Sequence, residues 1–216
     1  GFRDQLQDSL SMLLVQPEIT REQILLNCSR QFIEGDVQHW WHPPSGRGIR
    51  ARITDNYIWL PYAVSQYIKI TGDYSILNEK VNFLTGPKPD STQHDLYFTP
   101  NVSNEQGTVL EHCLRSLRRA TGKDGTAALG PNGIPLIGTG DWNDGMNLVG
   151  EHGQGESIWL GWFIISTIKE FCAVVTDGIS QDERIYFLKF ANAVGDSIED
   201  KGWDGNWYKR AFYDDG

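Results

Sequence analysis

Residues 138–147, GTGDWNDGMN, set two carboxylates, an indole and two amides among three glycines. A segment this rich in turn formers makes neither a good helix nor a core strand, so its side chains ride on a tight loop. An indole face stacks on the C–H face of a pyranose, while carboxylates and amides exchange hydrogen bonds with its hydroxyl groups. Breaking a glycosidic bond also needs a carboxylic acid that protonates the leaving oxygen as positive charge grows on the ring. Asp144, two residues after Trp142, is the candidate for that acid. Its plain alternative is a turn aspartate bonded to its own backbone.

A second loop, residues 35–56, reads GDVQHWWHPPSGRGIRARITDN and carries Arg47, Arg50 and Arg52 close to His39, His42 and Asp55. Several cations on one loop, in a chain of net charge −9, suit an oxyanion such as phosphate, whose oxygens match guanidinium forks. A phosphate nucleophile attacks unaided once positioned, so one essential acid suffices. The alternative is a solvated basic turn paired with surface acids.

Helical spacing dominates the segments that must hold these loops. Leu6, Leu10, Leu13 and Leu14 predict a helix over 3–15 that Pro17 interrupts, and Thr20 with Gln23 predicts a capped second helix running to Ile33. A third carries the stripe Trp59, Leu60, Ala63, Val64, Tyr67 and Ile68, with Asp55 or Thr54 as cap and Gly72 as stop. Three more are expected near 108–121, 155–175 and 182–200. Convincing strands are few: residues 35–56 read as irregular, 82–106 as a long surface excursion, and 203–216 as a short hairpin or extended loop. Stacked helical hairpins with the long loops gathered on one face fit this order. Glu111 and His112 read as structural hydrogen bonders, Glu156 as a helix cap in preference to a contact with the acceptor sugar, and Trp159 and Trp162 as core in preference to sugar platforms.

Composition narrows the partners. The 8 Trp, 8 Tyr, 9 Phe and 23 Gly in 216 residues suit a globular enzyme with functional loops. The negative charge argues against nucleic acid, which needs concentrated Lys and Arg. Cys28, Cys113 and Cys172 lack any metal-ligand spacing and read as buried thiols of a reducing compartment, so no metal is expected. The triplets at Asn27 and Asn101 read as chance glycosylation motifs. No signal peptide opens the chain, and the densest apolar run, IWLGWFII at 158–165, is too short to span a bilayer.

Four blocks in order, GFRDQLQD, QHWWHPPSGRGIRARITDNYIWLPYAV, GTGDWNDGMN and GESIWLGWF, make the sequence closely resemble the catalytic domain of glycoside hydrolase family 94 over essentially its whole length. That family holds cellobiose, chitobiose, cellodextrin and 1,2-β-oligoglucan phosphorylases and the carboxy-terminal part of cyclic β-1,2-glucan synthases. HWWHPPSGRG looks most like the β-1,2-glucan branch.

The resemblance implies an all-α (α/α)6 barrel, of which residues 1–216, one partial domain, supply about half, with phosphate-binding elements further downstream in relatives. It implies inverting phosphorolysis with Asp144 as general acid and Trp142 lining the subsite of the reacting glucosyl unit. Asp141 and Asn143 are the further sugar contacts expected from that loop. From the loop before the WLPY helix it implies contacts to sugar and phosphate by Arg47, Arg50, Arg52 and Asp55 without dividing the roles among them; the division expected here puts Asp55, Arg50 and Arg52 on sugar, and Arg47 with His42 on phosphate. Many relatives read SDD where this chain has TDN, so Asn56 replaces an acid. Arg3, Asp4, Gln5 and Asp8 line the barrel mouth on this reading, although a charged first helical turn is equally natural. Expected partners are a β-glucan or gluco-oligosaccharide, inorganic phosphate as co-substrate with no other cofactor, the rest of a longer parent chain, and a second copy in a homodimer. The expected location is the cytoplasm, including the cytoplasmic part of a membrane-tethered parent. The rival readings are an inverting hydrolase using Asp55 or Asp141 to activate water, and a non-catalytic glucan-binding module.

Overall fold

The computed structural model describes residues 1–90 and 93–216, so positions 91 and 92 of the expected excursion lie outside the described residues. Six α-helices stand among the described residues: α1 (Phe2–Leu10), α2 (Pro17–Cys28), α3 (Asn56–Thr71), α4 (Val109–Ala120), α5 (Ile158–Val174) and α6 (Gln181–Ser197). Side-chain oxygens of Thr108, Ser157 and Ser180 accept backbone N–H groups at the starts of α4, α5 and α6, filling donors that no earlier turn can satisfy. Gly72 ends α3 at φ 69°, a left-handed conformation that glycine adopts without penalty.

Two boundaries differ from expectation. Pro17 opens α2 rather than merely ending α1, because a missing N–H costs nothing at the first helical position. Thr20 therefore lies inside α2, and its hydroxyl donates to Ser9 O at 2.6 Å, tying α2 to α1.

Helix α3 lies between α1 and α5, while α2, α4 and α6 pack outside this row. One apolar cluster runs through all six helices, with Phe2, Ile24, Leu60, Leu117, Ile168 and Phe187 each fully buried. The three cysteines are free and buried, as is Asn27, whose amide donates to Phe2 O at 2.8 Å and is closed to any modifying enzyme. No helix is long and apolar enough to cross a membrane, and no group of metal-ligating side chains occurs among the described residues.

The chain is not purely helical. The segment read as an irregular loop is an antiparallel hairpin, β1 (Gln38–His42) with β2 (Arg47–Ala51), in which Trp41 faces Gly48 and His42 faces Arg47. A Cβ on Gly48 would fall 2.0 Å from the Trp40 carbonyl, so the glycine that reads as a loop former is what lets these strands close. The expected surface excursion supplies three strands. β3 (Lys80–Thr85) pairs with β5 (Asn101–Thr108), and β4 (Asp95–Phe98) adds to the free edge of β2. A two-residue pair, β6 (Glu156–Ser157) with β7 (Ala211–Phe212), fastens the tail to the start of α5.

The N-terminal ends of α1, α3 and α5 meet beneath the 138–147 loop. Arg3 comes from the first turn of α1, Asp55 from the residue before α3 and Ser157 from the residue before α5, and each hydrogen-bonds to another of these groups or to Asp141. Converging helix N-termini concentrate positive partial charge, which the buried carboxylates of Asp55 and Asp141 offset.

Candidate active site

The 138–147 loop is held from below by its first aspartate. Asp141 is fully buried: Oδ1 accepts from the Asn143 backbone N–H at 3.0 Å, Oδ2 from the Ser157 hydroxyl at 2.7 Å, and both oxygens from Arg210 Nη2. Gly138, at φ 71°, lets the loop approach the chain before α3, where a Cβ would lie 1.8 Å from Arg52 O. Thr139 N donates to that same carbonyl at 2.8 Å. Above this anchor, the Asn143 side chain accepts from Gly145 N at 3.0 Å and starts a short 3-10 turn, Asp144–Met146.

That turn lifts Asp144 into the open. Its side chain is 75 % exposed and borders a cavity of about 470 Å³ that also meets His39, Trp40, Ile49, Thr139 and Asn147. Oδ1 accepts from Arg3 Nη2, whereas Oδ2 has no partner among the described residues. Trp142 is 52 % exposed, and its indole N–H donates to Gln7 Oε1 at 3.1 Å, which fixes the ring beside the loop.

Arg3 is the organising group beneath. Almost wholly buried, it gives Nη1 to both oxygens of Asp55 at 3.1 Å and to Asp141 O at 2.6 Å, and Nη2 to Asp144. The guanidinium thus joins α1, α3 and the loop. A cation in the first turn opposes the helix dipole, so its place in GFRDQLQD is a sequence signal that an acid must meet it from elsewhere. Asp55 is fully buried and also accepts from the Trp59 indole at 3.0 Å. Burial pushes its carboxyl up to about 6, although Arg3 pulls the other way.

Three residues expected to contact sugar are turned into the protein in this structure. Asp55 and Asp141 have no solvent-accessible surface, and their oxygens are occupied by protein donors. Arg50 faces away from the cavity because side chains alternate along β2: Ile49 and Ala51 line the cavity, and Arg50 enters the opposite layer. There its guanidinium lies 3.8 Å over the Phe32 ring and donates to Asp36, Glu34 and the carbonyls of Gly86 and Pro87. All five of its N–H donors are used.

The remaining arginines do not converge either. Arg52 borders a separate cavity of about 220 Å³ with Thr54, Tyr57 and Arg119, and its Nε donates to Gln93 O at 3.0 Å. Arg47 and His42 stay together as cross-strand neighbours at the exposed end of the hairpin. Asn143 is exposed on the loop, its carbonyl oxygen used in the turn.

The pair His39 and Asn56 was missed as a unit. Asn56 Nδ2 lies 3.1 Å from His39 Nδ1, and burial, with Arg3 nearby, lowers the imidazole pKa. The His39 ring also borders the cavity. Glu156 does not cap α5; its carboxylate accepts from the backbone of Asn132 and Ile134 at 3.0 and 3.1 Å. Trp159 packs on the core, but Trp162 is partly exposed and meets Tyr208 edge to face at 5.6 Å.

A cavity-facing carboxyl, with an indole two residues before it, thus rides on a loop over the N-terminal ends of three helices in a largely helical domain. The chain belongs to the glycosyl hydrolase 94 superfamily, whose catalytic-domain model matches residues 1–216. It is 46% identical over 215 residues to the cyclic beta-(1,2)-glucan synthase NdvB of Rhizobium meliloti (strain 1021), covering 100% of this chain and 7% of that protein. It is 30% identical to solabiose phosphorylase of Paenibacillus borealis, and 27% identical to cellobionic acid phosphorylase of Neurospora crassa. These alignments cover 100% and 99% of this chain, and 25% and 24% of those relatives. The chain thus spans a quarter or less of the length of these relatives.

Proposed function

We propose that the complete protein carries out inverting phosphorolysis of β-linked glucosides, with β-1,2-glucan as substrate. Asp144 Oδ2 gives its proton to the glycosidic oxygen, phosphate attacks the anomeric carbon from the opposite face, and α-glucose 1-phosphate is released. The observation that carries this reading is the division of labour among three nearby aspartates. Asp144 alone among Asp55, Asp141 and Asp144 opens to the cavity, so the two acids expected to activate water in a hydrolase are out of its reach. The relatives named as phosphorylases support the reaction, and the synthase named for β-(1,2)-glucan supports the linkage. The row α1, α3, α5 with α2, α4 and α6 outside it is compatible with our reading of the domain as part of an (α/α)6 barrel.

Asp95 is the other carboxylate on the cavity wall, and a phosphate-independent reaction would direct attention to it as a base. Product analysis of the complete protein on β-1,2-, β-1,3- and β-1,4-glucans, with and without phosphate, tests the proposal. Glucose 1-phosphate from the β-1,2-linked glucan, only when phosphate is present, is expected. Free glucose in phosphate-free buffer would overturn it.

A further inference from the structure

The strands that floor the cavity carry a second feature on their open end. Tyr97 of β4 is 46 % exposed, and the Trp40 ring of β1 lies 5.6 Å from it at a 41° tilt. His42 stands edge-on to Trp40 at 5.0 Å and to Tyr97 at 6.5 Å, and the Arg47 guanidinium lies 4.5 Å over the Tyr97 ring. Three strands therefore set two aromatic rings, an imidazole and a guanidinium side by side, with one face of Tyr97 under Arg47. Trp40 belongs to this ledge and to the wall of the cavity that holds Asp144.

The polar groups of the ledge are unspent. The described residues offer no hydrogen-bond or ion-pair partner to the side chains of His42 or Arg47, in contrast to Arg50, whose donors are all taken. Their chemistry fits a neutral, hydroxyl-rich chain: ring faces receive the C–H face of a pyranose, and free N–H groups at the ring edge receive its hydroxyls. A bound phosphate asks for something else, several donors converging in a concave site. Here Arg47 lies flat on Tyr97 on an open surface, and Arg50 and Arg52, which could have joined it, point elsewhere.

We infer that Trp40, His42, Arg47 and Tyr97 form a glucan-binding ledge that holds glucosyl units beyond the reacting one and so selects chains over disaccharides. The inference rests on the reading of the adjoining cavity as the catalytic one, but not on phosphate being the nucleophile. Phosphorolysis brings in phosphate by another route, and Arg47 and His42 serve the sugar.

The test uses the complete protein, wild type and with Tyr97→Ala, Arg47→Ala or Tyr97→Phe. Binding of linear β-1,2-gluco-oligosaccharides of increasing length is measured calorimetrically without phosphate, and KM values for glucan and for phosphate are measured with it. Wild type and Tyr97→Phe bind more tightly as the chain grows. In the two alanine variants the ratio of long-chain to disaccharide affinity falls about tenfold, while KM for phosphate stays put. An equal loss at every chain length would assign the ledge a merely structural role and overturn the inference. A rise confined to KM for phosphate would also overturn it, by returning Arg47 to the anion. The phosphate-free binding arm stays readable even if phosphorolysis itself fails.

Discussion

Arg50 and Arg47 lie three residues apart on one strand and meet opposite fates. Arg50 is sealed behind the sheet, stacked on Phe32, with every donor used on carboxylates and carbonyls. Arg47 is stacked on Tyr97 in the open with its donors free. Burial forces a charge to be matched within the fold, so sealed charges hold architecture and open ones stay available for a ligand. The aspartates repeat the lesson, Asp55 and Asp141 being matched below and Asp144 presented above.

The largest effect expected from breaking this contrast falls on the sealed side. Arg50→Ala strands the buried carboxylate of Asp36 and should cost about 3–5 kcal/mol in chemical denaturation. A loss under about 1 kcal/mol would show that the strand does not depend on the pair. Next comes Asp55. Its folded pKa of about 6 lies above the ordinary 3.8, so the ionised form is the costly one. That cost is absent near pH 4 and fully felt above pH 6, and stability contributed by this group therefore falls as pH rises through the window. Asp55→Asn mimics the protonated form. Wild type should match the variant near pH 4 and become less stable than it by up to about 3 kcal/mol at pH 7. A gap independent of pH would place the shift elsewhere. The smallest effect belongs to Arg47→Ala, which removes one exposed cation–π contact and should change stability by about 0.5–1 kcal/mol at most.

The helices were legible because apolar spacing and caps both survive in a linear reading. Gly72 stops α3 where expected, and Thr108 starts α4. The strands were not. HWWHPPSGRG is dense in turn formers, and β2 turns Arg50 rather than an apolar side chain to its buried face, which breaks the alternation that marks a half-buried strand. β5, with Asn, Ser, Glu and Gln on an exposed edge, carries no apolar face to be noticed. At the site, residue types on the 138–147 loop pointed to Asp144 and Trp142. What local pattern could not provide was the link from Arg3 to Asp55 and Asp144, pairs 52 and 141 positions apart that exist only once three helix ends are brought together. The arginines at 47–52 separate for a related reason, since adjacency in sequence becomes opposition on a pleated strand.

The central claim, that Asp144 supplies the proton to the leaving oxygen, is tested most directly by pairing Asp144→Asn in the complete protein with two substrates. A glucan leaves poorly without protonation, whereas β-glucosyl fluoride releases fluoride unaided. Turnover of the glucan should fall roughly 10²–10⁴-fold while phosphate-dependent turnover of the fluoride is largely kept. Equal losses on both substrates, or retained turnover on the glucan, would contradict the assignment.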